Sequence, residues 1–190
     1  MQFVIISRLN LADLTTINPQ IDRLTPFSLN KQEENFLLEK DLNGLIRKSF
    51  AEQGDFAFKI QDSGQYFDGV VSHQKNPYDG YAYYKGKFIA WESKWLPKPM
   101  SLNLQRLEDH QLEALQKTRK TLTSAVALFL VGIKWSTRET RVYAFTDLDE
   151  IERRRNNKEN ILKKEWEKLT NYVKVSKGQV NIEELLEKAK

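Results

Sequence analysis

Apolar residues repeat at two different periods along the chain, and each change of period marks a predicted boundary between helix and strand. Residues 31–50 place Leu42 and Ile46 at the three- and four-residue spacing of one helix face. Residues 56–60 alternate along the chain, which is typical of a strand. Residues 103–120 return to the helical period. The pattern therefore predicts a helix before residue 54, a strand after it, and a second helix after residue 102.

A tight hairpin is predicted in the middle of the chain. The strands 79–84 and 87–95 are separated by only two residues, Lys85 and Gly86. A two-residue connection is typical of a hairpin and sets the pairing register of its strands. The facing residues then follow by counting outward from the loop.

The remaining apolar segments complete a sheet. Residues 124–135 are a continuous apolar run, which predicts a central strand buried on both faces. After a turn, residues 141–145 predict one more strand. Residues 62–78 show little periodicity, and we expect a loop or a projecting excursion there. Together these elements predict an α/β fold with a mixed β-sheet flanked by helices.

Three segments of the chain differ in composition. Residues 1–30 mix short apolar runs with prolines and predict an N-terminal arm, whereas residues 31–150 predict the folded core. Residues 151–190 are highly charged and predict a basic helical C-terminal extension. A narrow apolar seam at helical spacing runs along this extension: Leu162, Trp166, Leu169 and Val173.

The cysteine and histidine counts limit the kinds of metal site and nucleophile that the chain can contain. The 190 residues include no Cys and two His, which excludes a disulfide scaffold, a Cys-ligated zinc site and a thiol nucleophile. Any metal would be held by carboxylates, which favours magnesium, manganese or calcium. No stretch approaches the roughly 18 apolar residues of a membrane span, and the first residues lack the plan of a secretion signal. We therefore expect a cytoplasmic protein with no membrane partner.

The basic residues are concentrated late in the chain. The net charge is +4, and residues 151–177 hold nine Lys and Arg against four Asp and Glu. A basic segment beside a neutral body indicates an anionic partner such as nucleic acid. A solvated helix face rich in Lys and Arg gives the same pattern.

Hairpin counting brings three charged residues together. Asp79 lies directly opposite Glu92, and Lys94 projects from the same face as Glu92, two residues further on. Two close carboxylates repel each other unless a proton or a cation intervenes, and magnesium is typically held by one or two carboxylates. The pattern therefore predicts a hydrolytic magnesium site, and a surface ion cluster in which Lys94 pairs with both acids is the alternative.

These residues resemble a known signature. An aspartate followed by a hairpin and Glu-x-Lys is similar to the D…(D/E)-x-K signature of the PD-(D/E)xK nuclease superfamily. The surrounding residues resemble, over roughly residues 35–150, the RecU-type Holliday junction resolvases. Three segments carry this resemblance: Asn76-Pro77-Tyr78-Asp79-Gly80, Glu92-Ser93-Lys94 and Asp109-His110-Gln111.

The resemblance implies a role for each matching residue. Asp79 and Glu92 would be metal ligands for Mg²⁺, with Mn²⁺ as a substitute, and Lys94 would be the catalytic lysine. Glu39 would be the acid on the first helix that faces the metal, and Gln111 the glutamine of the helix behind the hairpin. Glu39 and Gln111 also interrupt apolar stripes on their predicted helices, so each needs a polar partner.

Several alternatives stay open at this stage. Asp68 competes with Asp79 for the first aspartate, although no short hairpin places it opposite Glu92. Glu33 and Glu34 compete more weakly with Glu39. Resolvases of this type carry a stalk that inserts into the junction centre, and residues 62–78 are the candidate for it.

The implied activity is the resolution of four-way (Holliday) DNA junctions by symmetric phosphodiester hydrolysis in recombination, which requires a homodimer. The alternatives are another nuclease of the superfamily, acting on linear or single-stranded DNA, and a non-catalytic DNA-binding accessory protein. The residues predicted to hold DNA phosphates are Lys75, Arg153, Arg154, Arg155, Lys158, Lys163 and Lys164.

Overall fold

The computed structural model describes residues 39–54, 56–60, 64–67, 70–73 and 76–189. The predicted N-terminal arm lies outside these residues, as do Glu33, Glu34, Asp68 and Lys75. In the described part of the chain, no helix is long and apolar enough to cross a membrane.

A six-stranded mixed sheet forms the centre of the fold. Its strands lie in the order β1-β4-β5-β6-β7-β8, and all neighbours are antiparallel except β5 and β6, which are parallel. The α/β class and the mixed sheet predicted from the sequence are therefore confirmed. The strands are β1 (Phe56–Lys59), β4 (Gly80–Tyr84), β5 (Lys87–Leu96), β6 (Val126–Ser136), β7 (Glu139–Phe145) and β8 (Tyr172–Lys174), with β2 (Gly64–Phe67) and β3 (Val70–His73) as a separate two-stranded sheet.

Helices cover both faces of the sheet. The helices are α1 (Glu39–Gln53), α2 (Asp109–Thr121), α3 (Leu148–Asn156), α4 (Lys163–Trp166) and α5 (Ile182–Lys188), with a 3₁₀ turn at Leu104–Arg106. On one face, α1 and α5 bury a core that includes Leu42, Ile46, Trp91 and Leu185. On the other face, α2 and α3 bury a second core that includes Leu115 and Phe129.

The predicted hairpin register is confirmed. Lys85 and Gly86 both adopt positive φ, at 48° and 77°, as the tightest hairpin turns require. Tyr84 pairs with Lys87 and Gly80 pairs with Trp91, so counting from the loop was correct. Gly80 has no side chain because a Cβ at this position would overlap the ring of Trp91. The absence of a side chain at Gly80 lets the indole ring of Trp91 pack against the backbone at the start of β4.

The central strand is also confirmed. The apolar run predicted at 124–135 forms β6, whose residues Ala127–Ile133 are buried. Strand β6 pairs with β5 on one side and β7 on the other, and its alternate side chains enter the two cores, so both of its faces are covered. Its parallel pairing with β5 extends from Ile89 to Leu96, the stretch that carries Glu92 and Lys94.

The C-terminal segment differs from the helical extension that was predicted. Its Val173 belongs to β8, which adds the sixth strand to the sheet, and α5 packs into the first core. The apolar seam is not one helical stripe: Trp166 is fully buried, whereas Leu162 is 42% exposed. The apolar residues of 151–190 gain more burial by completing the sheet and core than a separate helix could provide.

The excursion predicted at 62–78 contains the small sheet β2–β3. Its strands pair antiparallel, from Gly64 with His73 to Phe67 with Val70. The excursion leaves the main sheet after β1 and returns to it at β4, so it is inserted between two neighbouring strands.

Candidate active site

Asp79 lies at the point where β4 begins, beside the middle of β5. Its backbone N–H donates to the Trp91 carbonyl at 3.0 Å, which extends the hairpin ladder by one residue. Its Oδ2 accepts hydrogen bonds from the Ser93 backbone N–H at 2.9 Å and the Ser93 hydroxyl at 2.7 Å. These donors orient the Asp79 carboxylate at the end of the strand.

Glu92 and Lys94 form the centre of the site. The Lys94 Nζ donates to Glu92 Oε1 at 2.6 Å and to Glu39 Oε1 at 3.2 Å. The other oxygen of Glu39 accepts from Arg106 Nη2 at 3.0 Å. Alternating charges therefore run from buried Glu92 outward through Lys94 and Glu39 to Arg106, whose side chain is 43% exposed.

Burial changes the acid–base properties of this site. Glu92 is fully buried, and burial followed by the negative charge of Asp79 raises its pKa to about 7, even though Lys94 opposes the shift. Burial alone would lower the pKa of Lys94, but the charges and hydrogen bonds of Glu92 and Glu39 outweigh burial and hold it above its ordinary value. The positive charge of Lys94 therefore does not fully offset burial and the negative charge of Asp79 at Glu92.

A hard divalent cation fits that deficit. Glu92 Oε2 is buried and accepts no hydrogen bond, and an orphaned buried carboxylate oxygen is costly unless a proton or a cation satisfies it. Asp79 supplies a second carboxylate close enough to raise the pKa of Glu92. Magnesium needs no more than one or two carboxylates because it keeps several of its waters.

The structure does not gather all three predicted metal ligands. Among the described residues, no group of three or more His, Asp or Glu side chains could hold a metal ion. Glu39 lies in the site but contacts Lys94 and Arg106, so its position suits a partner of the lysine.

Gln111 is placed differently from the prediction. Its Oε1 accepts from the Glu108 backbone N–H at 3.0 Å, which closes a capping box at the start of α2. The polar residue that interrupts the apolar stripe is thus satisfied by its own helix terminus. The neighbouring His110 contacts Glu108 through Nδ1 at 3.4 Å.

The predicted phosphate-binding arginines are paired within the chain. Arg153 contacts Glu150 at 2.7 Å, Arg154 contacts Glu165 at 2.6 Å, and Arg155 pairs with Asp109. The side chain of Arg155 is only 13% exposed. These ion pairs hold α3 against its neighbours and occupy the guanidinium groups.

The predicted lysines are exposed. Lys158, Lys163 and Lys164 are exposed, and none has an acidic partner within 4.0 Å in the described part of the chain. The Lys163 backbone N–H donates to Ser101 Oγ at 3.2 Å, which places this part of the segment beside the loop that follows β5. Lys163 and Lys164 are therefore available to an anion near the end of the strand that carries Glu92 and Lys94.

Sequence reasoning missed two residues of the site. No role was predicted for Ser93, yet its backbone N–H and its hydroxyl both donate to Asp79 Oδ2. Only its place between Glu92 and Lys94 could have indicated it. Arg106 lies 67 residues from Glu39, and no local pattern signals that contact.

The comparisons with known proteins add no family to this picture. No protein-family model matches the chain, and no curated protein matches it.

Proposed function

We propose that this protein is a magnesium-dependent endodeoxyribonuclease of the PD-(D/E)xK type that resolves four-way DNA junctions. The observation that carries the proposal is the buried Glu92 carboxylate, with one oxygen on Lys94 and the other without a partner, beside an Asp79 oriented by Ser93. A surface ion cluster would be exposed and mutually satisfied, whereas this one is buried and leaves Glu92 Oε2 without a partner.

The fold supports a restriction-endonuclease-like assignment. The three strands β1, β4 and β5 form an antiparallel meander against α1, and α2 connects β5 to the parallel strand β6. The site lies where β4 begins and β5 continues past it. Residues 31–150 of the predicted core therefore supply the proposed chemistry.

Asp79 and Glu92 would hold the cation. When bound, a divalent ion there would supply Lewis-acid stabilisation of the negative charge on the cleaved phosphodiester. Ser93 keeps Asp79 turned toward the site, and the Trp91 backbone keeps it in register. Burial of Glu92 excludes water from the side of the site that faces the core.

Lys94 would act on the substrate directly. An ammonium group has three donors, and two of them point at Glu92 and Glu39. The third donor can reach a phosphate oxygen or an attacking water, where its positive charge opposes the charge that develops on the phosphate. Glu39 would fix the direction of this ammonium group.

The junction substrate follows from the resemblance and from symmetry. Two symmetric cuts in a junction require two active sites related by a two-fold axis, so we infer a homodimer. The β2–β3 excursion, which is inserted between β1 and β4, stands in the part of the chain expected for a junction-inserting stalk. Lys158, Lys163 and Lys164 would hold phosphates of an arm without reading its sequence.

The test is cleavage of a labelled four-way junction beside a linear duplex of the same sequence. Wild type, Asp79→Asn and Lys94→Met would each be incubated with magnesium and with chelator. Symmetric nicks in the junction alone are expected from wild type, and they should disappear with chelator and in both variants. Glu113→Gln, on an exposed glutamate of α2, is the matched control and should cleave like wild type.

The alternatives correspond to distinct results. Equal cleavage of the duplex, or cleavage of single strands only, would replace the junction assignment with another nuclease of the same type. Binding of the junction without cleavage under any metal condition would identify a DNA-binding accessory protein, and the Asp79–Glu92–Lys94 group would then be an ion cluster.

A further inference from the structure

Five aromatic rings form a continuous surface, here called the aromatic face, on the strands that lead to the candidate active site. The rings are contributed by β1, β4 and β5: Phe56, Phe58, Tyr81, Tyr83 and Phe88. Neighbouring rings across the strands are stacked, with centroids 5.5–5.8 Å apart and interplanar angles of 14–29°. Phe56 and Phe58 are 45% and 50% exposed, and Tyr83 is 38% exposed.

The aromatic face is continuous with the proposed catalytic group. Phe88, Ala90 and Glu92 alternate along β5 and therefore project from one face of the sheet. Tyr81 follows Asp79 by two residues on the neighbouring strand. At about 3.3 Å per residue, the rings begin roughly 7–13 Å from the two carboxylates. A polymer held at Asp79 and Glu92 would pass directly onto these rings.

The charge around the aromatic face favours an anionic polymer. Strands β1 and β4, and β5 up to Trp91, contain no Asp or Glu. Tyr78, just before β4, lies beside Thr118 in the last turns of α2. Lys117 and Lys120 flank that threonine, are exposed, and have no acidic partner within 4.0 Å among the described residues.

We infer that the aromatic face binds unpaired nucleotides of the substrate by stacking their bases, while lysines at its edge neutralise their phosphates. Every base presents a flat π-face, so stacked, exposed aromatic rings bind single-stranded nucleic acid without sequence preference. A second copy of the chain is disfavoured as the occupant because the surface runs into a charged site that must remain open to DNA. The inference rests on the proposed function for its ligand class, and it narrows the substrate to branched DNA in which bases next to the cleaved phosphate are unpaired.

The test distinguishes binding through the bases from binding through the phosphates. A fluorescein-labelled dT12 strand and an abasic strand of the same length and charge would be titrated with the full-length protein without divalent metal. Wild type is expected to bind dT12 at least tenfold more tightly than the abasic strand. Phe56→Ala and Phe58→Ala should each weaken dT12 binding by about 5- to 100-fold and leave the abasic strand unaffected.

Two further variants make the outcome decisive. Phe58→Trp should retain dT12 binding and show quenched indole fluorescence on binding, which a damaged fold would not. Leu162→Ala removes an apolar side chain of similar exposure elsewhere (42%) and should bind like wild type. Equal binding of the two strands by wild type would overturn the inference. The inference would also be overturned if Phe58→Ala dissociated a dimer and left dT12 binding unchanged, because the aromatic face would then contact a second copy of the chain.

The inference and the proposed function fail separately. If wild type binds dT12 more tightly than the abasic strand but cleaves no DNA with magnesium, the base-stacking surface stands and the nuclease proposal falls. If wild type cleaves junctions but does not distinguish dT12 from the abasic strand, the nuclease proposal stands and the aromatic face has another occupant.

Discussion

At the scale of single residues, one buried carboxylate dominates the site. Glu92 would be charged at neutral pH on an exposed surface, but in the fold its pKa is about 7 because burial and Asp79 both oppose the charge. Lys94 donates a hydrogen bond to only one carboxylate oxygen of Glu92, and the other oxygen has no partner. Glu92 is therefore poised to exchange its proton near physiological pH, and under the proposed function a cation would replace that proton.

This exchange predicts a pH dependence of the metal-free protein. The pKa of Glu92 is higher in the folded state than its ordinary value of 4.5, so its contribution favours folding at low pH and is lost as the pH rises through about 7. The free energy of unfolding in chelator should fall by roughly 2 kcal/mol between pH 5.5 and pH 8. Urea denaturation at both pH values measures it.

Glu92→Gln should remove this part of the pH dependence, and Glu113→Gln, on an exposed residue, should keep it. Magnesium should stabilise wild type more at pH 8 than at pH 5.5, because protons compete with the ion. An identical pH slope in wild type and Glu92→Gln would show that Glu92 does not titrate in this range.

Ser93 gives a second prediction at this scale. Ser93→Ala removes the hydroxyl that donates to Asp79 and leaves only the backbone donor. Because groups that orient ligands set metal affinity, magnesium should bind about tenfold more weakly, as measured by calorimetric titration. Ser136→Ala removes an exposed hydroxyl, far along the chain from Asp79, that accepts from the Arg138 backbone, and it should bind magnesium like wild type. Unchanged affinity in Ser93→Ala would show that the Ser93 hydroxyl does not contribute to metal binding through Asp79.

At the scale of elements, the β4–β5 hairpin decides which side chains meet. Its two-residue turn sets the register that brings Asp79 beside Glu92 and Ser93. A shift of one residue would turn every side chain of β5 to the other face and bury Glu92 against α1. The turn conformation of Lys85 and Gly86 is thus required to place Asp79 beside Glu92.

Gly86→Ala tests this turn. No atom lies within 4 Å of a Cβ at Gly86, so the only cost is its φ of +77°, and we expect a loss of about 1 kcal/mol in the free energy of unfolding. Gly44, inside α1, has equally open surroundings but a helical backbone, so Gly44→Ala should stabilise by about 0.5–1 kcal/mol. Thermal denaturation of both variants gives the comparison, and equal effects would contradict the strained turn.

At the scale of the whole molecule, residues after 150 are part of the folded body. Trp166 packs on Tyr143 with ring centroids 4.9 Å apart, and its indole N–H donates to the Met100 carbonyl at 2.8 Å. Val173 lies in β8, the edge strand that pairs with β7. The C-terminal segment therefore stabilises the strands behind the site while presenting its lysines to solvent.

Trp166→Ala should therefore destabilise the entire domain. Loss of a fully buried indole and its hydrogen bond is expected to cost about 3–5 kcal/mol. Leu162→Ala, four residues away and 42% exposed, should change the free energy of unfolding by less than about 1 kcal/mol. A mild effect of Trp166→Ala in urea denaturation would indicate that the C-terminal segment folds separately from the sheet.

The sequence by itself determined the features that depend on near neighbours. The hairpin, the central strand, and the proximity of Asp79, Glu92 and Lys94 follow from spacings within 16 residues, because a strand has a fixed two-residue period and a two-residue loop allows one register. The mixed α/β sheet follows from the same alternation of periods.

Only the tertiary structure decided which distant residues meet. Glu39 and Arg106 converge on Lys94 from different elements, Gln111 turns to its own helix end, and Val173 joins the sheet instead of a helix. These outcomes depend on packing between segments that are far apart in sequence, so the local periodicity of apolar residues cannot predict them. The burial that shifts the pKa of Glu92 belongs to this second group, because α1, α2 and β6 create it together.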